Sequence, residues 1–123
     1  MNFNWKRLEE LAATEIETTI AELPGPLRER AEKLPVTFEK YPGADLEEGG
    51  IAPDTLGFFA GAEFADAEME PIPPQIMLFL GNLWEFAEAD EEIYGEEVRK
   101  TFLHELGHFF GLNEDDLDER GLS

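Results

Sequence analysis

One stretch of the chain, Asp90 to Gly111, admits a single kind of local structure. Ile93, Tyr94, Val98, Phe102, Leu106 and Phe109 recur at three- and four-residue spacing, the apolar stripe of an amphipathic helix. Gly111 stands where a left-handed C-terminal cap belongs. A helix with so continuous a stripe must bury one side, and whatever lies beside the stripe is then fixed in direction. Near its C-terminal end this helix carries His104-Glu105-Leu106-Gly107-His108, which includes both histidines of the chain.

The remaining segments supply partners for that helix. Asn4 caps a first helix in which Leu8, Leu11, Ala12, Ile16, Thr19, Ile20 and Leu23 recur with helical period, and Pro24-Gly25-Pro26 stops it. Pro26 opens a short second helix through Lys33, ended by Pro35. Val36 to Tyr41 alternates apolar and polar residues, as a strand with one buried face does. Leu56 to Ala60 and Gln75 to Leu80 read as two further strands, the latter ended by Gly81-Asn82. Pro42 to Asp54 reads as a turn-rich loop, and Glu63 to Pro74 as an acidic, proline-rich connection. Leu83 to Ala89 suits a short turn of helix with a break near Ala89-Asp90, and Asn113 to Ser123 an acidic tail. The order α-α-β-β-β-α predicts one small α+β domain over residues 1–123.

Composition narrows the chemistry. The chain carries 29 acidic and 9 basic residues, a formal charge of −20. That argues against a basic phosphate-contacting face for nucleic acid and against docking on an anionic membrane. There is no cysteine, which excludes disulfides, thiol catalysis and thiolate metal sites, so any metal is held by His, Asp or Glu. Met1 to Arg7 lacks the apolar run of a secretory signal, and the longest uncharged stretch, Pro71 to Trp84, is broken by prolines at its start. A cytoplasmic protein of bacterial type is the expectation.

Residues four apart lie on one helical face, so the His104 and His108 imidazoles can address one metal ion. Random placement of two histidines and the observed glutamates gives this pattern roughly 0.3% of the time, so the motif outweighs chance. Zn²⁺ suits such ligands, and Glu105, about 100° around the helix from His104, stands beside the ion rather than on it. There it can take a proton from a water that the metal activates. Gly111 lies three residues past His108, and a left-handed turn there would send the chain back so that Glu114 reaches the metal as third ligand. Asp115 is the alternative, because one residue's difference in the turn exchanges their directions. The run Asn113-Glu114-Asp115-Asp116 also suits the N-terminus of a short C-terminal helix.

The string from His104 through Gly111 and Glu114 to Leu117 resembles the signature of the bacterial mini-zincins, small zincin-like metallopeptidases. Leu56 to Gly61 and Ile76 to Gly81 resemble that family's second and third strands. The resemblance implies a minimal zincin fold, with a three-stranded sheet packed on the motif helix and an edge strand above the metal. It gives that edge position to Gln75–Leu80, so Gln75, Ile76, Met77 and Leu78 are expected to bind an extended peptide substrate. It also implies zinc-dependent peptide hydrolysis, with His104, His108 and Glu114 holding Zn²⁺ and Glu105 as general base. Larger zinc peptidases place a His or Tyr at the oxyanion, for which Tyr94, Tyr41, Arg99 and Arg120 are the candidates here. Two other readings stand beside this one: a zincin that holds metal without catalysis, and an acidic interaction protein that mimics nucleic acid on a basic partner surface. The expected partner is a peptide or protein substrate, with neither nucleic acid nor membrane involved; the sequence does not fix an oligomeric state.

Overall fold

The structure is a computed structural model that describes residues 4–61 and 74–111. Its elements are α1 (Trp5–Ala21), α2 (Gly25–Glu32), β1 (Val36–Glu39), α3 (Ala44–Glu48), β2 (Gly57–Ala60), β3 (Gln75–Phe79), α4 (Leu80–Phe86) and α5 (Glu91–Phe109). The strands form one mixed sheet in the order β1-β3-β2, with β3 parallel to β1 and antiparallel to β2. The fold is α+β, as the sequence predicts.

The helix termini follow local chemistry. Asn4 caps α1 by accepting a hydrogen bond from the Arg7 N–H at 3.1 Å, and Asp90 caps α5 by accepting one from the Ile93 N–H at 3.0 Å. Glu91 and Glu92 occupy the first turn of α5, where the helix dipole favours negative charge. At its other end Gly111 adopts φ +78° and its N–H donates to the His108 carbonyl at 3.0 Å. This is the left-handed cap that glycine accepts without steric cost.

α5 packs against α1, α4, β2 and β3. Tyr94, Val98, Phe102, Leu106 and Phe109 are buried in one core with Leu8, Ala12 and Ile16 of α1 and with Ile76 and Leu78 of β3. Tyr94 sits at the junction. Its hydroxyl donates to the Leu8 carbonyl at 2.9 Å, and its ring stands edge-on to Trp84 at 5.7 Å. Burial, with a smaller contribution from the charge of Glu9, pushes its phenol above the usual tyrosine range. At the surface, the Arg7 guanidinium holds both oxygens of Glu91 at 2.9 and 3.0 Å, joining the N-termini of α1 and α5. Hydrogen bonding to Arg7 draws the Glu91 carboxyl below its usual value.

Three expectations are corrected. β3 is the central strand, hydrogen-bonded on both sides, so Gln75, Ile76, Met77 and Leu78 do not form an edge along which a peptide could pair. The segment from Pro42 to Asp54 contains the one-turn helix α3 rather than loop alone. Gly81-Asn82 does not end β3 before a separate helix, because α4 starts at Leu80 and contains both residues. Gly81 donates its N–H to the Lys40 carbonyl at 2.9 Å, and a Cβ there would lie 2.5 Å from that oxygen. Asn82, only 7% exposed, donates from Nδ2 to the Pro53 and Thr55 carbonyls at 2.8 and 2.9 Å. It thereby pins the segment that leads into β2. Readings of residues 63–73 and of the tail from 113 lie outside the described residues. Among the described residues no helix is long and apolar enough to cross a membrane.

Tyr94→Phe is expected to cost about 1 kcal/mol near neutral pH, the net worth of one buried hydrogen bond, measured by urea unfolding. The wild type has a second signature. Its folded phenol titrates above the unfolded value, so stability is fully present below about pH 10 and falls as pH rises beyond it. In Tyr94→Phe that alkaline decline flattens; an equal slope in both proteins would contradict the buried-phenol assignment.

Candidate metal centre

His104 and His108 lie one turn apart on α5, and their Nε2 atoms are 3.2 Å from one another, with the rings nearly perpendicular at 84°. Two imidazole nitrogens each 2.0–2.1 Å from a tetrahedral Zn²⁺ stand about 3.3 Å apart, so the pair already has the spacing that a shared ion requires. The same distance allows one ring N–H to donate to the other ring's nitrogen. The ligand-type atoms of His104, Glu105 and His108 all fall within 4.8 Å of one another, and the three residues are half-buried. Imidazole with carboxylate is a donor set that suits Zn²⁺, and the residues present therefore fit the ion.

The flank of α5 that bears these side chains forms one wall of a cleft of about 340 Å³, lined by Lys100, Thr101, His104 and Glu105, with Leu56 and Gly57 opposite. Gly57 explains how the strand comes so close. A Cβ at that position would lie 2.5 Å from Thr101 Cγ2, 3.2 Å from Leu78 Cδ2 and 3.5 Å from Glu105 Cγ. Only a residue without a side chain lets the backbone of β2 rest against α5 beside Glu105. Gly57 makes β2, not β3, the strand next to the candidate metal centre, and among the described residues β2 lies at an edge of the sheet.

The structure brings His104, Glu105 and His108 together and sets other candidates aside. Ile76 and Leu78 are core residues. Tyr94 spends its hydroxyl on the Leu8 carbonyl in the core. The Arg99 guanidinium reaches Glu22 and Thr19 of α1 at 3.1 and 3.3 Å. Tyr41 lines a different cleft, with Glu39, Met77 and Phe79. Glu114, Asp115 and Arg120 lie outside the described residues. Sequence reasoning missed Gly57 and Thr101, although a lone glycine inside the strand pattern Leu56-Gly57-Phe58-Phe59-Ala60 is a signal of close backbone approach.

Residues 31–122 match the family profile described as zincin-like metallopeptidase, a span that takes in the whole sheet and α5. No curated protein matches the chain.

The fit between Gly57 and Thr101 gives a double-mutant test. Gly57→Ala is expected to destabilise the protein by about 1–3 kcal/mol through overpacking. Thr101→Ser, which removes the Cγ2 methyl and keeps the hydroxyl, is expected to return about 1 kcal/mol or more of that loss in the double variant. Strictly additive effects in chemical denaturation would contradict the close approach of β2 to α5.

Proposed function

The chain belongs to the zincin-like metallopeptidases, and on that premise we propose that it is a zinc-dependent peptidase whose reacting groups are gathered on one turn of α5. The observation that carries this reading is the 3.2 Å separation of the His104 and His108 Nε2 atoms, with Glu105 on the same turn facing a cleft walled by an edge strand. His104 and His108 hold the ion. Glu114 is the proposed third ligand: the left-handed Gly111 favours the chain reversal it needs, and Asp115 is the alternative one residue on. When bound, Zn²⁺ supplies Lewis acidity that acidifies a water and polarises a carbonyl.

The protein's own groups do the rest. Glu105, within reach of both imidazoles, accepts the proton of the attacking water and passes it to the departing amine, the part a positioned carboxylate plays in general acid–base catalysis. The peptide is held extended along the edge of β2, Gly57 to Ala60, where main-chain hydrogen bonds need no particular substrate side chain. Gly57 keeps that strand against α5, so a peptide paired there lies beside Glu105. This role passes to β2 because β3 has both of its edges occupied.

The test is Glu105→Gln, which removes the base and leaves the histidines. It is expected to retain the zinc content of the wild type while hydrolysis of an unfolded-protein digest falls by about 10²–10⁴-fold. Unchanged turnover in Glu105→Gln would refute the mechanism. Zinc-loaded wild type with no turnover on the same digest would mark a metal-holding zincin without catalysis.

A further inference from the structure

Lys100 lines the cleft beside the candidate metal centre together with His104 and Glu105, and among the described residues no other lysine or arginine lines it. It precedes His104 by four residues, so it lies on the same face of α5, about 6 Å nearer the N-terminus. Its ammonium is 3.6 Å from a Glu97 oxygen, and its side chain is 63% exposed. A pair that long and that exposed holds the ammonium weakly, so a ligand's carboxylate can replace Glu97.

The direction of β2 decides which part of a peptide meets Lys100. Gly57 lies against Thr101, and the Phe59 ring packs on Phe109 at 5.9 Å. β2 therefore runs with α5, toward its C-terminal end. A peptide paired antiparallel to β2, the more stable pairing, runs the opposite way. Its residues C-terminal to the cut then pass from Glu105 toward Lys100. An extended peptide advances about 3.4 Å per residue, so Lys100 stands about two residues past the cut.

We propose that Lys100 is a specificity-determining residue that anchors a peptide carboxylate on the C-terminal side of the cut, which rests on reading this cleft as the place where the peptide is cut. The carboxylate belongs to the end of the substrate chain or to an Asp or Glu side chain. Both offer the ammonium the same pair of acceptor oxygens. A basic group at that position meets like charge, and a neutral one leaves the ammonium with Glu97. On a chain with 29 acidic and 9 basic residues, an acidic peptide is repelled over most of the surface and attracted here.

Binding is tested apart from cutting. The probes are N-acetyl-alanyl-alanine, its C-terminal amide and N-acetyl-glutamyl-alaninamide, titrated with zinc present into the full-length, isotope-labelled protein and followed by NMR. A carboxylate probe is expected to shift the Gly57, Lys100 and Thr101 backbone amides, and the neutral amide to leave them in place. A response to the free acid alone assigns the chain terminus; a response to the glutamyl probe alone assigns a side chain. Lys100→Met, which keeps the stem and removes the charge, is expected to bind the responding acid about 10-fold more weakly, and Lys100→Arg to restore it. Undiminished binding by Lys100→Met would put the carboxylate on the metal and overturn the anchor, as would equal shifts from all three probes.

A second readout is cleavage of paired peptides that differ in a free or amidated C-terminus, or in Glu against Gln two residues past the cut. The ratio of kcat/KM for the acid over its neutral partner is expected to exceed about 5 in the wild type, to fall to about one in Lys100→Met and to invert in Lys100→Glu. Equal losses on both partners in Lys100→Met, or an acid preference confined to the N-terminal side of the cut, would overturn the anchor. Cutting with no acid preference overturns the anchor and leaves the peptidase reading standing. Lys100-dependent acid binding in a protein that cuts no peptide supports the carboxylate anchor and removes the peptidase reading.

Discussion

Burial of one face of α5 is the constraint from which the candidate metal centre follows. Tyr94, Val98, Phe102 and Leu106 lie four residues apart and are buried between α1 and the sheet. Because the helix advances about 100° per residue, fixing that stripe also fixes the neighbouring strip that bears Thr101, His104, Glu105 and His108. The imidazoles are half-buried at the edge of the core rather than on the free face of the helix. The ends of α5 are secured as well: Asp90 and the Arg7–Glu91 pair hold the first turn, and Gly111 closes the last. The ligand pair therefore inherits its geometry from ordinary core packing and helix capping.

The cleft needs a second surface, and here the fold relies on the absence of a side chain. Gly57 brings the backbone of β2 against Thr101 and close to Glu105. Asn82 fixes the approach to that strand by tying the Pro53 and Thr55 carbonyls to the start of α4. β2 is thus held from below by β3, from the side by α5 and at its entrance by Asn82. A strand so constrained can present main-chain groups to a peptide without moving, which is the preorganisation that a small fold with few walls requires.

The parts of this architecture legible in the sequence are those written in local periodicity. The α5 stripe, its Asp90 and Gly111 ends, the Asn4 cap and the His-Glu-His turn depend on residues within a few positions of each other, and each has the geometry expected of it. Strand order is different, because it depends on residues far apart. Yet Ile76-Met77-Leu78-Phe79 is continuously apolar where Val36-Thr37-Phe38-Glu39 alternates, and an unbroken run is what a strand covered on both sides shows. That contrast agrees with the central place of β3, whereas the family resemblance implies an edge position for it. α3 is not legible in the sequence because five residues are too few to display a helical period. Asn82 reads as a turn residue in any local window; its role as a buried pin exists only once residues 53 and 55 are folded beside it.

The central claim is that one turn of α5 holds a zinc ion through two imidazoles. Zinc X-ray absorption on the purified protein tests it most directly. The account predicts one zinc per chain, with two imidazole nitrogens at about 2.0–2.1 Å, the remaining donors oxygen, and the imidazole signature lost in His104→Ala, His108→Ala while the helical circular dichroism is retained. A zinc shell of oxygen alone, or a spectrum unchanged in that double variant, would contradict it.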